Sequence, residues 1–510
     1  MLATVLSSTL VGIQGRPVAV EVHVGDGLPS FNIVGLPDAS CRESRDRVRA
    51  AISSSGLRWP QRRITVNLAP TGLRKGGAAL DLAIAVGLLA ADNQLSATDL
   101  QERSFLGELG LDGAIRPVAG TLSLVDAMTT AEVIVPAPNR TEAALISRVR
   151  IRPVLTLRGL VAALRGDDAW PQLPVEAVDA SAGRSGRDLA EVQGQHLGRA
   201  AVEVAAAGGH HLLLVGPPGA GKTMLSSRLV GLLPDLSLDE ALAVTRIHSA
   251  AGLALPVGSL IRRPPLRAPH HSASAVSLIG GGTARMRPGE ISCAHLGVLF
   301  MDELPEFPTA VLDTLRQPLE AGEVLVCRAR GSITFPARFL LVAAMNPCPC
   351  GSDGRPGSCR CSERTRVRYL QRVSGPLLDR FDLRVHVERP EPDELLGSGL
   401  RPLEPPESTA VVADRVARAR RLAEERGVGL NAAIPASCLD ALAPLSPAAR
   451  QMLEVRLRQG RLSARGLHRV RRVARSVADL AGRGGRVEVD DVHTALGLRA
   501  EVSSWREEVS

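Results

Sequence analysis

An eight-residue glycine loop contains the residue types that hold a nucleoside triphosphate. It reads Gly216, Pro217, Pro218, Gly219, Ala220, Gly221, Lys222 and Thr223, which matches the pattern G-x-x-x-x-G-K-[ST]. In this pattern, backbone N–H groups and a helix N-terminus surround phosphate oxygens, the lysine contacts the β- and γ-phosphates, and the threonine hydroxyl ligates Mg²⁺. We therefore expect ATP and Mg²⁺ as cofactors, with these eight residues binding the nucleotide.

The residues around the loop supply the strand and helix that this motif needs. The apolar run 212–215 precedes the loop, and a helix-like stretch, 224–230, follows it. Lys222 is also one of only two lysines, the other being Lys75, among 61 basic residues. A guanidinium is too wide and flat to replace an ammonium as a point contact to phosphate. A lysine kept in such an arginine-rich chain is therefore expected to act as an amine.

Two further apolar runs end in polar residues of the kind that phosphoryl transfer needs. Residues 297–301 lead into Asp302, which would hold Mg²⁺, and Glu303, which would polarise the attacking water. Residues 339–345 lead into Asn346, which could contact the γ-phosphate and the water. The alternative for the acidic pair is an ordinary turn after a strand. Its place downstream of a phosphate loop favours the catalytic interpretation.

Together with residues 374–382, these motifs resemble the AAA+ ATPases and, more closely, their magnesium-chelatase-like branch. Segments 188–195, 267–272 and 287–292 are similar to those of the YifB/ComM family within that branch, and the similarity covers nearly the whole chain. The resemblance implies an α/β fold with an AAA+ P-loop core, a C-terminal helical lid and assembly into a hexamer.

The same resemblance implies roles for three polar residues. Asn346 matches the sensor-1 position, Arg380 matches the arginine finger presented to the ATP of a neighbouring subunit, and Arg465 matches the sensor-2 arginine of the lid. The alternative for Arg380 is a surface ion pair with Asp379 or Asp382. For Arg465, the alternative is an ordinary position on an arginine-rich helix.

Two basic segments are candidates for contacts with DNA. Residues 262–287 are basic, glycine-rich and poorly periodic, and residues 323–335 form two alternating runs around a glycine turn, which predicts a hairpin. In the family these correspond to the helix-2 insert and the pre-sensor hairpin, which project toward the ring pore, where basic hairpins suit a phosphate backbone. Solvated surface loops are the alternative. The paired His270 and His271 lack ligand spacing, so we interpret them as structural.

Four of the eight cysteines lie close together after Asn346, as Cys348, Cys350, Cys359 and Cys361. Two C-x-C pairs across a short Gly/Ser/Asp loop could close on one tetrahedral ion, with thiolate ligands at about 2.3 Å. We expect a structural Zn²⁺ at this cluster. Free thiols or redox-sensitive pairing are the alternatives, because C-x-C is tighter than the usual C-x₂-C spacing.

Composition and periodicity divide the chain into domains. Alternating runs at 18–24 and 63–68 indicate strands, and 44–53 and 79–90 have helical spacing. The predicted units are an α/β domain at 1–165, a linker at 166–187, the AAA+ core with basic inserts and the cysteine cluster at 188–390, a second linker at 391–408, and a helical lid at 409–503.

The N-terminal domain resembles the Lon-protease-like domain of the ribosomal-S5 type, with residues 107–120 as the best match. A Lon-type site needs a nucleophilic serine and an activating lysine. The match puts Ala79 at the serine position and Leu122 near the lysine position, and Lys75 lacks a hydroxyl partner in the local motif. We therefore expect a protease fold without protease activity.

The formal charge of +8 and the pI near 9.5 favour an anionic partner, with nucleic acid ahead of a membrane surface. The arginine bias would raise the pI of any chain of this composition, so the charge alone is a weak signal. No stretch of eighteen apolar residues occurs, and the N-terminus lacks a charged n-region and a long h-region. We expect a cytoplasmic protein that does not insert into a membrane.

The leading hypothesis is a hexameric AAA+ ATPase that acts on DNA, as a helicase or in branch migration during recombination or transformation. A basic C-terminal helix is consistent with it and contains Arg465, Arg469, Arg471, Arg472 and Arg475. One alternative is a magnesium-chelatase-type motor subunit that drives metal insertion into a tetrapyrrole. Another is a protein-remodelling ATPase, which would need an aromatic pore loop, and the hairpin offers only Phe335.

Overall fold

The computed structural model describes residues 1–73, 75–171, 187–282, 286–328, 331–351, 359–390 and 406–500. Most of the first predicted linker and residues 391–405 of the second lie outside the described residues, as do parts of both predicted basic segments, at 283–285 and 329–330. Residues 352–358, between the two cysteine pairs, also lie outside them.

The N-terminal part of the chain forms a mixed sheet covered by helices. Its strands are β1 (Leu2–Val11), β2 (Gln14–Gly25), β3 (Ser30–Val34), β4 (Arg63–Ala69), β5 (Arg103–Phe105), β6 (Glu108–Leu109), β7 (Ile115–Arg116), β8 (Glu132–Pro136) and β9 (Arg150–Val154). Its helices are α1 (Ala39–Ser54), α2 (Asp81–Ala91), α3 (Thr121–Asp126), α4 (Arg140–Ala143) and α5 (Leu157–Arg165). Seven strands form one sheet in the order β3-β4-β2-β1-β5-β8-β9, and β6 pairs with β7.

The predicted strands and the predicted helix 44–53 lie within observed elements, the predicted helix 79–90 begins two residues before α2, and the sequence pattern does not indicate β1. That strand pairs with β2 along its whole length and places Ser7 and Ser8 in the interior. The interior satisfies both hydroxyls, because Ser7 Oγ donates to the carbonyl oxygen of Phe105 at 2.7 Å and Ser8 Oγ donates to that of Leu124 at 2.9 Å. Because buried, hydrogen-bonded serines occupy interior positions, the apolar alternation that would predict this central strand is interrupted.

The middle of the chain forms a second sheet with helices on both sides, together with two separate pairs of strands. Its strands are β10 (Leu212–Val215), β11 (Leu266–Arg267), β12 (Gly280–Gly281), β13 (Arg287–Pro288), β14 (Val298–Met301), β15 (Glu323–Arg328), β16 (Gly331–Pro336), β17 (Leu340–Met345) and β18 (Leu383–His386). Its helices are α6 (His196–Gly208), α7 (Lys222–Leu229), α8 (Leu238–Ala251), α9 (Ala275–Ile279), α10 (Glu290–Cys293), α11 (Thr309–Asp313), α12 (Arg316–Ala321), α13 (Glu363–Gln371) and α14 (Gly375–Leu378).

The central sheet has the order β11-β14-β17-β10-β18, and its paired strands are parallel. Every residue of β10, β14 and β17 is buried, as expected of parallel strands covered on both faces. Because the strands are parallel, their carboxyl ends meet at one edge, and the polar residues that follow β10, β14 and β17 are brought to that edge. The predicted hairpin at 323–335 is present as the antiparallel pair β15–β16.

The C-terminal part is helical and packs on the central module. Its helices are α15 (Thr409–Glu425), α16 (Leu439–Leu442), α17 (Pro447–Arg458), α18 (Ala464–Leu480) and α19 (Val489–Gly497). Side chains of α6, α15 and α18 share one hydrophobic core, which includes Val202, Val416 and Val473. The fold class is thus α/β with a P-loop-type sheet and a C-terminal helical region.

The arginines of α18 do not form the DNA-facing surface that their number suggests. Arg475 is fully buried and pairs with Asp479 at 2.9 Å, and Arg472 donates to the carbonyl oxygen of Ile434 at 2.8 Å. Arg471 donates to the Asp440 carboxylate, and Arg469 pairs with Asp382. These four guanidinium groups are paired within the C-terminal helical part and with the central module, as expected for cations that are buried or half-buried. Of the predicted set, only Arg465 is exposed.

The N-terminal and central parts contact each other through α8. Arg246 pairs with Asp126 at 2.5 Å, and the Ser249 hydroxyl donates to the buried Glu142 carboxylate. The backbone N–H of Gly120 also donates to the Ser249 carbonyl oxygen at 3.1 Å. Within the described residues, no helix has both the length and the apolar character needed to cross a bilayer.

Candidate nucleotide-binding site

The glycine loop lies at the carboxyl end of β10 and runs directly into α7, as the sequence predicts. Gly219 and Gly221 have φ values of +80° and +85°, and in the described chain no other heavy atom lies within 4 Å of where a Cβ would stand. A Cβ at Gly216 would lie 2.1 Å from the Val387 carbonyl oxygen. The loop is therefore tied to the sheet at one end and open at its middle, which leaves a cradle for phosphate oxygens.

Lys222 begins α7 and turns its ammonium back under the loop. Its Nζ donates to the carbonyl oxygens of Gly216 at 2.6 Å and Pro217 at 2.8 Å, and to Asn346 Oδ1 at 3.1 Å. Burial lowers the pKa of Lys222, and the Asp302 and Glu303 carboxylates oppose that shift. The ammonium thus donates to three uncharged oxygen atoms. Phosphate oxygens can replace these acceptors when a nucleotide binds.

Thr223 and Asp302 meet at the same edge of the sheet. The Thr223 hydroxyl donates to Asp302 Oδ2 at 2.8 Å, although the two residues lie 79 positions apart in the chain. A hydroxyl and a carboxylate placed side by side next to a phosphate cradle form the oxygen donor set that Mg²⁺ prefers. The residues present fit the predicted metal, and Asp302 and Thr223 are the ones that would hold it.

Asn346 follows β17 and closes the group from the other side. Its Oδ1 accepts from Lys222, so the side chain lies beside the loop where a γ-phosphate would reach. Lys222, Thr223, Asp302 and Asn346 are therefore brought together from three adjacent strands.

Glu303 lies at the mouth of this group. It has a φ of +52°, an uncommon value for a residue with a Cβ, and its backbone N–H donates to Asp302 Oδ1 at 3.0 Å. Its carboxylate Oε2 lies 3.2 Å from Nδ1 of His271. Both predicted carboxylates thus face the site, and the second is held by a histidine that the sequence pattern marks only as structural.

Arg380 lies apart from the glycine loop, in the turn after α14. Its guanidinium pairs with Glu320 of α12 and donates to the carbonyl oxygen of Pro376 at 2.7 Å. The partner is therefore Glu320 rather than Asp379 or Asp382. Asp382 is instead held by His210 and Arg469, and these contacts hold its pKa at about 2 despite its burial.

Arg465 is the second residue of α18 and is exposed. Ser463 caps this helix by accepting from the Gly466 N–H at 3.1 Å, which fixes the backbone direction at Arg465. The Arg465 side chain therefore projects from the capped N-terminus of α18, in the C-terminal helical part.

The four predicted cysteines form one cluster. Cys348 Sγ lies 3.3 Å from Cys350 Sγ and 3.6 Å from Cys359 Sγ, and the four sulfur atoms, with that of Cys361, lie within 4.8 Å of one another. Tetrahedral thiolate ligands at about 2.3 Å from a zinc ion would be about 3.8 Å apart, so the cluster fits a metal of this type. A Cβ at Gly351 would lie 2.6 Å from Pro218 Cγ, so this turn packs closely on the glycine loop.

Two residues near the loop make contacts that motif spacing does not reveal. Gln195, with a φ of +54°, donates from Nε2 to the Ala220 carbonyl oxygen at 3.1 Å and also to that of Glu388. His271 contacts Glu303, as described above. Gln195 belongs to segment 188–195 and His271 to segment 267–272, so the family resemblance was the one signal that pointed to them.

Three family models match the chain. The model described as magnesium chelatase, subunit ChlI, matches residues 188–395, and the one described as subunit ChlI of Mg-chelatase matches residues 20–139. The model described as magnesium chelatase, subunit ChlI C-terminal, matches residues 406–499. The first match includes the glycine loop, the acidic pair and the cysteine cluster, and the third includes Arg465.

Relatives match over nearly the full length. An uncharacterised protein of Mycobacterium tuberculosis strain H37Rv is 46% identical over 505 residues, which is 98% of each chain. Competence protein ComM of Haemophilus influenzae is 42% identical over 507 residues, again 98% of each chain. The uncharacterised protein YifB of Escherichia coli is 44% identical over 505 residues, covering 98% of this chain and 96% of YifB.

Proposed function

The chain belongs to the YifB/ComM family of magnesium-chelatase-like AAA+ ATPases, and on that premise we propose that it is a ring-forming motor that translocates on DNA. The observation that carries the proposal is the convergence of Lys222, Thr223, Asp302 and Asn346 at one edge of the parallel sheet. This is the arrangement that ATP hydrolysis with Mg²⁺ requires.

Each residue of the site has a task in that reaction. Lys222 and the loop N–H groups bind the β- and γ-phosphates, and Asn346 orients the γ-phosphate and the attacking water. Thr223 and Asp302 would hold Mg²⁺, which would supply charge neutralisation at the phosphates. The water oxygen forms a bond to the γ-phosphorus while the bond to the β–γ bridging oxygen breaks, and Glu303 takes the proton of the water.

The proposed ring is supported by Arg380, which lies away from the glycine loop of its own chain. Arg380 pairs with Glu320 in the isolated chain, and a neighbouring ATP would offer its guanidinium a stronger anionic partner. Arg465 on α18 would contact ATP in the same subunit when the lid closes. Six copies, as the family resemblance implies, would place an arginine finger at every interface.

DNA is the proposed track because the first predicted loop follows β11 at the edge of the sheet where the catalytic residues lie, and the second forms a separate antiparallel hairpin before β17. Arg262, Arg263 and Arg287 are exposed around the first loop, and β15–β16 forms the second. The name of the Haemophilus relative, competence protein, supports a role in recombination or transformation. We expect the protein to act on DNA in the cytoplasm, as a helicase or in branch migration.

A magnesium-chelatase-type motor subunit remains the second candidate, because all three matching family models are named for a chelatase subunit. The two functions share the ATPase chemistry and differ in what stimulates it. A chelatase motor would respond to its partner subunits and a tetrapyrrole, whereas a DNA motor would respond to DNA.

We also propose that the cysteine cluster holds a structural zinc ion. Its sulfur spacing suits four thiolates on one ion, and the cluster lies beside the glycine loop through Gly351 and Pro218. Zinc there would supply a fixed cross-link rather than chemistry, since four thiolates leave no open position for water. The measurement is native mass spectrometry of the purified protein, and a mass without zinc would reject the assignment.

For the N-terminal domain we propose a Lon-like fold without proteolysis. Ala79 and Leu122 are buried aliphatic residues in one hydrophobic cluster, so neither supplies a nucleophile or a base. Degradation of casein that depends on ATP and is lost in a Lys222→Ala variant would overturn this proposal.

The experiment that tests the main proposal is steady-state ATP hydrolysis with single-stranded, duplex and four-way-junction DNA across a salt series. We expect stimulation that weakens as salt rises, because phosphate contacts compete with counterions. An unchanged rate with all three DNAs would reject a DNA motor, and stimulation by tetrapyrrole and chelatase partners would establish the alternative.

A further inference from the structure

A buried carboxylate follows the turn that carries Arg380. Asp382 lies two residues after Arg380 and is 7% exposed. Its Oδ2 lies 3.4 Å from Nδ1 of His210, and its Oδ1 accepts from Nη1 of Arg469, also at 3.4 Å. His210 comes two residues before β10, which leads into the glycine loop, and Arg469 belongs to α18. One carboxylate therefore joins the turn to the central sheet and to the C-terminal helical part.

The main chain around Asp382 is held from the same side. Nη1 of Arg499 donates to the carbonyl oxygens of Phe381 at 2.9 Å and of Asp382 at 2.8 Å. Arg384 exchanges two backbone hydrogen bonds of 2.9 Å with the segment 498–500. This segment follows α19, so the turn is attached to the end of the C-terminal helical part as well as to α18.

Asp382 is also a buried counter-charge for a group of arginines. Burial lowers the pKa of Arg384, Arg472 and Arg499, and the Asp382 carboxylate opposes this shift in each. Asp379 opposes it in two of them, but its side chain is 57% exposed and its ion pair with Arg384 is 3.6 Å long. Because solvent screens an exposed charge more than a buried one, neutralising Asp382 would leave these cations without a buried counter-charge.

We propose that Asp382 is a positioning residue for Arg380, and that through it the C-terminal helical part of one subunit sets the direction of the arginine that the subunit presents to its neighbour. This role rests on the proposed function of Arg380 as an arginine finger. The Arg380 guanidinium itself contacts Glu320 and the Pro376 carbonyl oxygen, and neither belongs to the C-terminal helical part. The link to α18 therefore runs through Asp382 and the turn, not through the guanidinium.

His210 is packed tightly against α18. Its Nε2 lies 2.8 Å from the Ser476 hydroxyl oxygen, and a Cβ at Gly208 would lie 2.2 Å from both atoms. Close-packed interiors transmit displacement, so a movement of α18 reaches the Asp382 carboxylate through both of its partners. The turn that precedes Asp382 then moves with the helix.

The same helix carries Arg465, the proposed sensor-2 residue. Arg465 and Arg469 are four positions apart, so they lie on the same face of α18. On the proposed role of Arg465, a nucleotide that moves this residue also displaces Arg469. The state of the ATP site in one subunit would thus alter the finger that reaches the ATP of the next subunit.

The test is steady-state ATP hydrolysis by Asp382→Asn in the full chain, a change that keeps the size of the side chain and removes its charge. We expect kcat to fall by about 10²-fold, since misplacing a positioned group by about 1 Å can have a cost of this size. KM for ATP should not change, because the glycine loop and Lys222 are untouched. Asp440→Asn is the matched control: Asp440 also pairs with an α18 arginine, at 2.8 Å, but is 83% exposed, and this variant should keep the unaltered kcat.

Two further measurements separate positioning from a general loss of structure. Lys222→Ala subunits keep Asp382 and Arg380, so adding them to Asp382→Asn subunits should restore turnover at mixed interfaces. Combining Asp382→Asn with Arg380→Ala should be no slower than Arg380→Ala alone, because both changes act through one guanidinium.

Arg469→Gln is a second variant, which removes the cation from the 18%-exposed end of the contact and leaves Asp382 in place. Its kcat should fall by about tenfold with KM unchanged, and urea unfolding followed by circular dichroism checks that each variant is folded. If Asp382→Asn does not fold, an unchanged kcat in Arg469→Gln would overturn the link to α18.

An unchanged kcat in folded Asp382→Asn, alongside a loss in Arg380→Ala, would overturn the positioning role and leave the finger in place. A loss in Asp382→Asn that Lys222→Ala subunits fail to restore would overturn it as well. If Arg380→Ala hydrolyses ATP at the full rate, the finger assignment in the proposed function is wrong, and the role of Asp382 falls with it.

Discussion

The only two lysines of the chain occupy two buried sites that differ in what surrounds them. Lys222 is 8% exposed, and its Nζ donates to two loop carbonyl oxygens and to Asn346, with the Asp302 and Glu303 carboxylates near enough to affect its pKa. Lys75 is fully buried, and its Nζ donates to the carbonyl oxygen of Pro70. Burial lowers the pKa of both amines.

The surroundings of Lys222 and Lys75 indicate that burial alone does not make a lysine functional. Lys222 lies beside open space above Gly219 and Gly221, so its acceptors can be exchanged for phosphate oxygens. Lys75 is enclosed by the turn at 36–38, where the Asp38 N–H donates to its carbonyl oxygen at 2.9 Å and its own N–H donates to Leu36. The first site can accept an anion, and the second is closed around a backbone contact.

Replacing each lysine should produce the largest contrast. Lys222→Ala removes the ammonium that binds the β- and γ-phosphates, so we expect nucleotide binding and hydrolysis to be abolished. Lys75→Met keeps the length of the side chain and removes one of the two donors to the Pro70 carbonyl oxygen, the other being the Leu73 N–H at 3.3 Å. We expect it to lower the free energy of unfolding by about 1 kcal/mol and to leave hydrolysis intact. Binding of a fluorescent ATP analogue, turnover and urea unfolding measure these outcomes.

Normal turnover in Lys222→Ala would reject the assigned site. Loss of turnover in a folded Lys75→Met protein would show that the two sites are not as different as their surroundings indicate.

Arg380 extends the comparison to a cation whose proposed anion lies in another subunit. Arg380→Ala should lower kcat by about 10³- to 10⁵-fold, the cost of losing an arginine finger, while ATP still binds. Arg458→Ala, which changes an 84%-exposed guanidinium on α17, is the matched control. Adding Lys222→Ala subunits, which keep Arg380, to Arg380→Ala subunits should restore some turnover at mixed interfaces. Mixtures that stay inactive would place Arg380 outside the catalytic interface.

The cysteines provide a second contrast between the same two regions. Cys41 lies near Lys75, donates to the Gly77 carbonyl oxygen at 3.3 Å, and burial raises its pKa to about 12. Cys348 belongs to the four-sulfur cluster beside the glycine loop. Cys348→Ser should therefore lose about one zinc ion per chain and lower Tm, whereas Cys41→Ser should keep the ion. Turnover should fall less than about tenfold in Cys348→Ser, because the cluster supports the loop without touching phosphate.

Elemental analysis and thermal melting of the two variants measure these effects. Equal zinc content in Cys348→Ser and the unaltered protein would show that the cluster does not bind zinc, and its four cysteines would then be free thiols.

Sequence reasoning could predict the candidate nucleotide site because its proposed chemistry is concentrated at strand ends. The glycine loop, the acidic pair and Asn346 each follow an apolar run, and parallel strands bring such ends together. The fold class was accessible from the same runs together with the alternating segments, which indicated β2, β4, β10, β14, β17 and the β15–β16 hairpin; the other strands were not predicted. Strand β1 was not, since Ser7 and Ser8 are satisfied only by carbonyl oxygens from distant parts of the chain.

The contacts of the inward-facing arginines of α18 could not be predicted from the sequence. Counting charges on a helix does not reveal that Arg475 pairs with Asp479 or that Arg469 pairs with Asp382, because the second partner comes from another element. The contact of His271 with Glu303 was hidden in the same way: the two residues lie on different loops, and only the folded sheet edge joins them.

The smallest predicted effect concerns two histidines that support the catalytic sheet. His211 Nδ1 accepts from the Leu341 N–H at 3.0 Å and His295 Nδ1 accepts from the Arg338 N–H at 3.1 Å, so both rings must be neutral around the start of β17. Burial lowers the pKa of each to about 4 from an ordinary value near 6.5. Between these values the unfolded chain binds more protons than the folded chain, so stability is full above about pH 6.5 and falls as the pH drops toward 4.

The expected loss over that range is about 1–3 kcal/mol for each ring. In His295→Asn, the side-chain amide oxygen can accept the same N–H without titrating, so this variant should lose less stability between pH 7.5 and pH 4.5 than the unaltered protein. Urea unfolding followed by circular dichroism at both pH values measures the difference. If the two proteins lose equal stability, His295 is not among the groups that make the central module sensitive to acid.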